Sequence, residues 1–113
     1  MHNYKDLKVW EKAFNLVLDV YKVTDLLPDS EKFNFISQIN RSALSVPSNI
    51  AEGAGRNSKK DFQRFLNIAT GSSYELETQL LLINKIYNVN TELVIEKVKE
   101  VQKMIYALNK SMN

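Results

Sequence analysis

The stretch Phe33-Asn-Phe-Ile36-Ser-Gln-Ile39-Asn-Arg41-Ser-Ala43-Leu-Ser-Val46-Pro47-Ser-Asn-Ile50-Ala-Glu-Gly53 places Ile36, Ile39, Ala43, Val46 and Ile50 at steps of 3-4-3-4. That is the spacing of one apolar helical face. The pattern continues straight through Pro47, so one helix is expected here rather than two. Proline has no N–H to give the carbonyl of Ala43 and its ring crowds that carbonyl, so the helix is expected to kink.

The same periodicity extends outward on both sides. Upstream, Leu7, Trp10, Phe14, Val17 and Tyr21 step 3-4-3-4 and predict a core stripe on a helix from about Leu7 to Leu26. Asp6 is a candidate N-cap and Pro28 a stop signal. Downstream, Gly53-Ala-Gly55-Arg-Asn57 breaks the chain, with Gly53 suited to a left-handed cap. Ser58 then opens a third helix, and Asp61 three residues later makes a weak capping box. Phe62, Phe65, Ala69, Leu76, Leu80, Ile83 and Tyr87 carry this helix for about thirty residues, or about 45 Å. Asn90 or Thr91 caps a fourth, whose Val94, Val98, Val101, Ile105, Leu108 and Met112 step 4-3-4-3-4. Helices at about 7–26, 33–53, 58–88 and 91–112 are joined by short connections, which favour antiparallel neighbours. The expectation is an all-α chain, an antiparallel up-down-up-down four-helix bundle with a kinked second helix, filling residues 1–113 as one domain.

Composition removes much enzyme chemistry. The 113 residues hold no cysteine and one histidine, His2, near a terminus expected to be mobile. Zinc–thiolate sites, Cys nucleophiles, His-based triads and Glu-x-x-His di-iron sites are therefore excluded, and no cofactor or metal is expected. Ser45 and Ser48 have no evident base to activate them. No apolar run approaches the roughly 18 residues of a membrane span, and no signal-peptide pattern opens the chain.

The net charge of +2 is uneven: residues 1–55 sum to −1, residues 65–113 to zero, and residues 56–64 to +3. Within those nine residues Arg56, Lys59, Lys60 and Arg64 face Asp61 alone. A nucleotide P-loop is a poor reading, because a helix precedes the glycines and serine comes before lysine. A looser anion site is a better one, since exposed N–H groups at the helix start lie beside cationic side chains. Lys59 and Lys60 oppose the macrodipole there, a choice that works against helix stability and is consistent with an anionic partner. A solvated charged corner would have the same composition.

Two further features concern the outer faces. Ala69, Gly71, Ser72 and Ser73 form a small-residue waist in the third helix, and Leu80, Leu81, Leu82 and Ile83 are apolar on every side. Such a run implies burial all round, at a subunit interface or in a wide internal contact. Arg41, Ser45, Ser48 and Glu52 on the second helix, and Lys60, Gln63, Asn67, Thr70, Tyr74 and Glu77 on the third, form polar stripes with many short uncharged side chains. Hydrogen bonding between subunits or an ordinary wet surface would account for them. Trp10 is read as a core anchor rather than a base-stacking platform.

The stretch from Ser37 through Val46-Pro47-Ser48-Asn49-Ile-Ala-Glu52-Gly53 to Lys60, then Phe62, Arg64-Phe65-Leu66, Gly71-Ser72 and Glu75-Leu-Glu77, resembles the 23S rRNA intervening-sequence protein family. The opening Tyr4-Lys-Asp-Leu-Lys-Val-Trp10 resembles the family's usual start. Asn40 departs from it, since the family often carries a second arginine before Arg41. The resemblance implies a bacterial, cytoplasmic, non-enzymatic bundle that assembles as a ring-like homopentamer, with relatives that bind nucleic acid and a protein partner. On that basis Arg56, Lys59, Lys60 and Arg64 are the candidate contacts to RNA or DNA. Arg41, Ser48, Asn49, Glu52, Gly71, Ser72, Leu81 and Leu82 are the candidate oligomer interface. The alternative is an interaction scaffold that meets a protein partner and touches no nucleic acid.

Overall fold

A computed structural model describes residues 2–113, and its four helices are α1 (Lys8–Thr24), α2 (Phe35–Ala54), α3 (Lys59–Tyr87) and α4 (Glu92–Ser111). Among the described residues there is no strand. The chain is all-α and packed as a four-helix bundle. α1 lies against α2, α2 against α3, α3 against α4, and α4 closes back on α1. Cross-helix contacts pair rising with falling residue numbers: Ser42 with Glu75 and Ser45 with Ser72 across α2 and α3, Asn109 with Asn67 and Gln102 with Glu77 across α3 and α4, and Lys97 with Asp19 and Glu100 with Lys12 across α4 and α1. The longest dimension is 43 Å, about the length of a 29-residue helix such as α3.

The stripes predicted for α2 and α4 are buried over most of their length, at Ile39, Ala43, Val46 and Ile50, and at Val94, Val98, Val101 and Ile105, while Ile36, Leu108 and Met112 at their ends are only partly buried. Helix α2 runs through Pro47, itself buried, without interruption. Helix α1 differs. Its buried face is Val9, Ala13, Leu16, Val20 and Val23, whereas Phe14 and Tyr21 of the expected stripe are 48% and 44% exposed. Both rows satisfy helical spacing. The bundle interior takes the row of smaller side chains, because Ala13 lets α1 approach its neighbours closely, and the aromatic row is left on the flank. Each fully buried Leu or Ile of this core contributes about 1.5–3 kcal/mol relative to exposure.

The ends show further differences. Leu7, not Asp6, is the N-cap of α1, and Asp6 closes a preceding 3-10 turn, Tyr4–Asp6. His2 is tied down, its N–H donating to the Ala54 carbonyl at 2.8 Å and its ring packed 5.5 Å from that of Phe62. Helix α2 ends in ordinary right-handed geometry at Gly55, with no positive φ at any described glycine. Gly53 is required for a different reason. A Cβ there would stand 2.7 Å from the Cβ of Phe65 and 2.9 Å from Cδ1 of Phe62, so glycine lets α3 cross the end of α2. The left-handed residue is Asn88, with φ 55°, where α3 ends. Buried Thr91 then pins the turn into α4, donating its hydroxyl to the Leu80 carbonyl at 3.1 Å. Asn40 accepts the hydroxyl of Thr24 at 3.1 Å, tying α2 to the end of α1.

Candidate functional site

The first turn of α3 is built on Ser58, whose hydroxyl accepts the backbone N–H of Asp61 at 3.1 Å. This is the forward half of a capping box. The Asp61 carboxylate turns instead to arginine, lying 3.1 Å from Nε of Arg64 and 4.0 Å from Nε of Arg56. Arg56 also reaches Glu52 at 3.0 Å, one helical turn back. Both guanidinium groups lie over the ring of Phe65, at 4.8 Å for Arg56 and 4.4 Å for Arg64. The two planar cations are thus held by a carboxylate and an aromatic face, an arrangement suited to guanidinium and not to ammonium.

Lys59 and Lys60 are exposed, and among the described residues neither forms an ion pair. Lys60 lines an open groove of about 580 Å³ with Ser58, Asp61, Gln63, Arg64 and Asn67. The four predicted cations therefore occupy one corner as a paired set and an unpaired set. With Glu52 folded onto Arg56, the corner carries +2 rather than +3. Phe65 and Asp61 were not legible as organisers of this corner. The signal available was the Arg64-Phe65 adjacency, but the second arginine arrives only through the turn between α2 and α3.

The candidate interface residues are distributed over several surfaces. Gly71 is exposed, and a Cβ added to it meets nothing within 4 Å, whereas its waist neighbours Ala69 and Ser73 are buried and Ser72 bonds to Ser45 of α2. Leu81 and Leu82 are 51% and 46% exposed while Leu80 and Ile83 are fully buried, which disposes of a wide internal contact for that run. Leu82 faces outward, whereas Leu81 lines the seam between α3 and α4 with Tyr74 and Lys103. Arg41 is exposed. Ser48 lines an apolar groove of about 380 Å³ between α1 and α2, with Tyr4, Trp10, Phe14, Leu44 and Pro47. Trp10 is half-buried there, edge-on to Tyr4 at 5.0 Å.

The polar stripes have a third explanation that periodicity did not offer. Many of their groups bond within the chain. Ser45 pairs with Ser72 at 2.8 Å, Asn49 donates to the Ser45 hydroxyl at 2.9 Å, and Ser42 donates to Glu75 at 2.8 Å. Across the other seam Gln63 donates to the Asn109 carbonyl at 3.1 Å, Asn109 to Asn67 at 2.9 Å, and Gln102 to Glu77 at 2.9 Å. Short polar side chains allow helices to hydrogen-bond laterally at close range. Glu52 and Glu75 are likewise engaged, by Arg56 and Ser42. Among the described residues no group of three or more His, Asp and Glu side chains is placed to hold a metal ion.

At the far end of α3 the Tyr87 hydroxyl donates to the Glu31 carboxylate, closing the connection between α1 and α2 onto the bundle. That hydrogen bond, followed by desolvation and the glutamate's charge, raises the phenol above its ordinary value near 10.

Known proteins resemble this chain in both sequence and fold. The family described as 23S rRNA-intervening sequence protein matches residues 5–107. A crystal structure of a protein of unknown function from the S23 ribosomal protein family of Bacteroides thetaiotaomicron aligns with a TM-score of 0.83 and 26% identity, covering 90% of this chain and 98% of that one. No curated protein matches. No helix among the described residues is long and apolar enough to cross a membrane.

Proposed function

Because the chain belongs to the 23S rRNA-intervening sequence protein family, we propose that it is a non-enzymatic, self-assembling helical bundle that holds the phosphates of RNA or DNA at the start of α3. The observation that carries this reading is the division of labour in the corner. Arg56 and Arg64 are fixed on Phe65 and Asp61, while Lys59 and Lys60 stand exposed beside the N–H groups of the first helical turn. Fixed guanidinium groups offer planar recognition of phosphate, and the lysines add mobile point charge.

Assembly supplies repetition. One corner of +2 is a weak electrostatic site, and several copies around a ring form a strong one. The surface proposed for self-association is the outward ridge of α2 and α3 that carries Arg41, Gly71 and the half-exposed Leu82. A homopentamer is the assembly proposed, in keeping with the family resemblance. A scaffold that docks a protein without nucleic acid is the second reading, and the aromatic groove between α1 and α2 favours it.

The test is binding to a structured RNA at about 50 and about 200 mM salt, beside a Lys59→Ala/Lys60→Ala variant. Affinity is expected to fall steeply with salt and again with the double substitution. Equal, negligible binding throughout would overturn the reading. A protein recovered stoichiometrically and insensitive to nuclease would favour the scaffold.

A further inference from the structure

The corner at the start of α3 continues into a surface of which the sequence singled out only the α3 half, the polar stripe with Gln63, Asn67 and Tyr74. Gln63 and Asn67 turn toward α4, where they meet Asn109 and Asn113. An open groove of about 360 Å³ is lined there by Asn67, Tyr106, Asn109, Lys110 and Asn113. It shares Asn67 with the groove of Lys60 and Arg64. Farther along the same seam a third groove, about 480 Å³, holds Tyr74, Leu81, Lys99, Gln102 and Lys103.

Tyr106 is 67% exposed and Tyr74 57%, exceeded among the Phe, Tyr and Trp rings of the described residues only by Phe33 at 92%, and unlike Phe33 they share one seam. Lys110 lies 5.9 Å from the Tyr106 ring. Asn109 faces Asn67 and Gln102 faces Glu77, so Tyr106 and Tyr74 stand on opposite sides of the seam within about one helical turn along the bundle axis. Lys60, Arg64, Lys99, Lys103 and Lys110 border the seam, while its carboxylates are engaged: Asp61 with arginine and Glu77 with Gln102. Exposed rings, cations along the same line and carboxamides between them are what unstacked bases and their phosphates need. A duplex keeps its base faces hidden and offers such rings nothing.

We propose that the α3–α4 seam is a track for single-stranded nucleic acid, with Tyr106 and Tyr74 stacking bases and Lys60, Arg64 and Lys110 holding phosphates. The track rests on the phosphate-binding reading of the corner and deepens it by naming the strand state of the ligand. Asn67, Asn109 and Gln63 supply donors and acceptors to base edges once their mutual bonds open.

The experiment is fluorescence anisotropy of the full chain with labelled 12-nucleotide single-stranded RNA, the same sequence as DNA, and the corresponding duplex. Wild type is compared with Tyr106→Ala, Tyr106→Phe, Tyr74→Ala and Lys59→Ala/Lys60→Ala. Single strands are expected to bind more tightly than the duplex. Tyr106→Ala should weaken them about tenfold, with Tyr106→Phe near wild type because the ring face remains. Single-stranded RNA and DNA that differ in affinity, both above the duplex, would support the track and assign its sugar preference. Equal binding of duplex and single strand, or no effect of Tyr106→Ala while the lysine variant still weakens binding, would overturn the track and leave the corner standing. No binding of any form would overturn both. Both rings project from the surface, so thermal melting of the alanine variants should match wild type, and a variant that does not is replaced by its leucine counterpart.

Discussion

Gly53 and Phe65 meet so closely that a methyl group on the glycine would stand 2.7 Å from the phenylalanine Cβ. The same Phe65 carries Arg56 and Arg64 on its ring. One contact therefore sets how α3 leaves α2 and where the cations of the corner stand.

Gly53→Ala should destabilise the chain by about 1–3 kcal/mol, since a Cβ cannot yield and helix propensity returns only about 1 kcal/mol. Gly71→Ala, compared in the Leu82→Glu background so that self-association does not enter, should do the opposite, stabilising by about 0.5–1 kcal/mol, because within one copy its Cβ meets nothing. Urea unfolding of the two variants tests the contrast in sign. Equal shifts would mean that close approach does not explain Gly53.

Asp61→Asn should release Arg56 and Arg64 from their shared carboxylate. Nucleic-acid affinity is expected to rise, with a salt dependence steeper by about 0.7 for each additional phosphate neutralised on a single strand. Ser58→Ala is the control: it should lose about 1 kcal/mol of stability with its cap and leave the salt slope unchanged.

Leu82→Glu should dissolve the proposed assembly without unfolding the chain, because Leu82 is 46% exposed within one copy. Light scattering should move toward the 13.0 kDa of a single chain while the helical circular dichroism persists. A wild type that already scatters as a single chain would refute self-association.

Tyr87→Phe should lower stability most near neutral pH. The folded phenol is raised, so the stabilisation is fully present below the unfolded value near 10 and is lost as pH rises through the folded value. Denaturant midpoints of wild type and variant are therefore expected to converge at strongly alkaline pH. A gap that widens with pH would contradict the Glu31 hydrogen bond as its source.

The apolar rows of α2 and α4 could be read directly, because each helix there has one dominant stripe and burial selects it. Helix α1 has two rows of equal periodicity, and the choice between them depended on what the neighbouring helices could accommodate. The cations of the corner were legible as types and positions. Their pairing was not, since Glu52 and Arg56 lie on the far side of a turn from Asp61, Arg64 and Phe65. Tyr74 and Tyr106 were invisible as a pair, because 32 residues of chain separate them and only antiparallel packing sets them on one seam.

The sequence by itself determined the four helices and the identity of the charged corner, since both depend on local spacing and residue type. The tertiary structure decided which face of α1 is buried, which polar stripes are consumed as interhelical hydrogen bonds, and which glycine is indispensable. Those outcomes depend on distances between segments remote in the chain, and no periodicity within one segment encodes how near another will come.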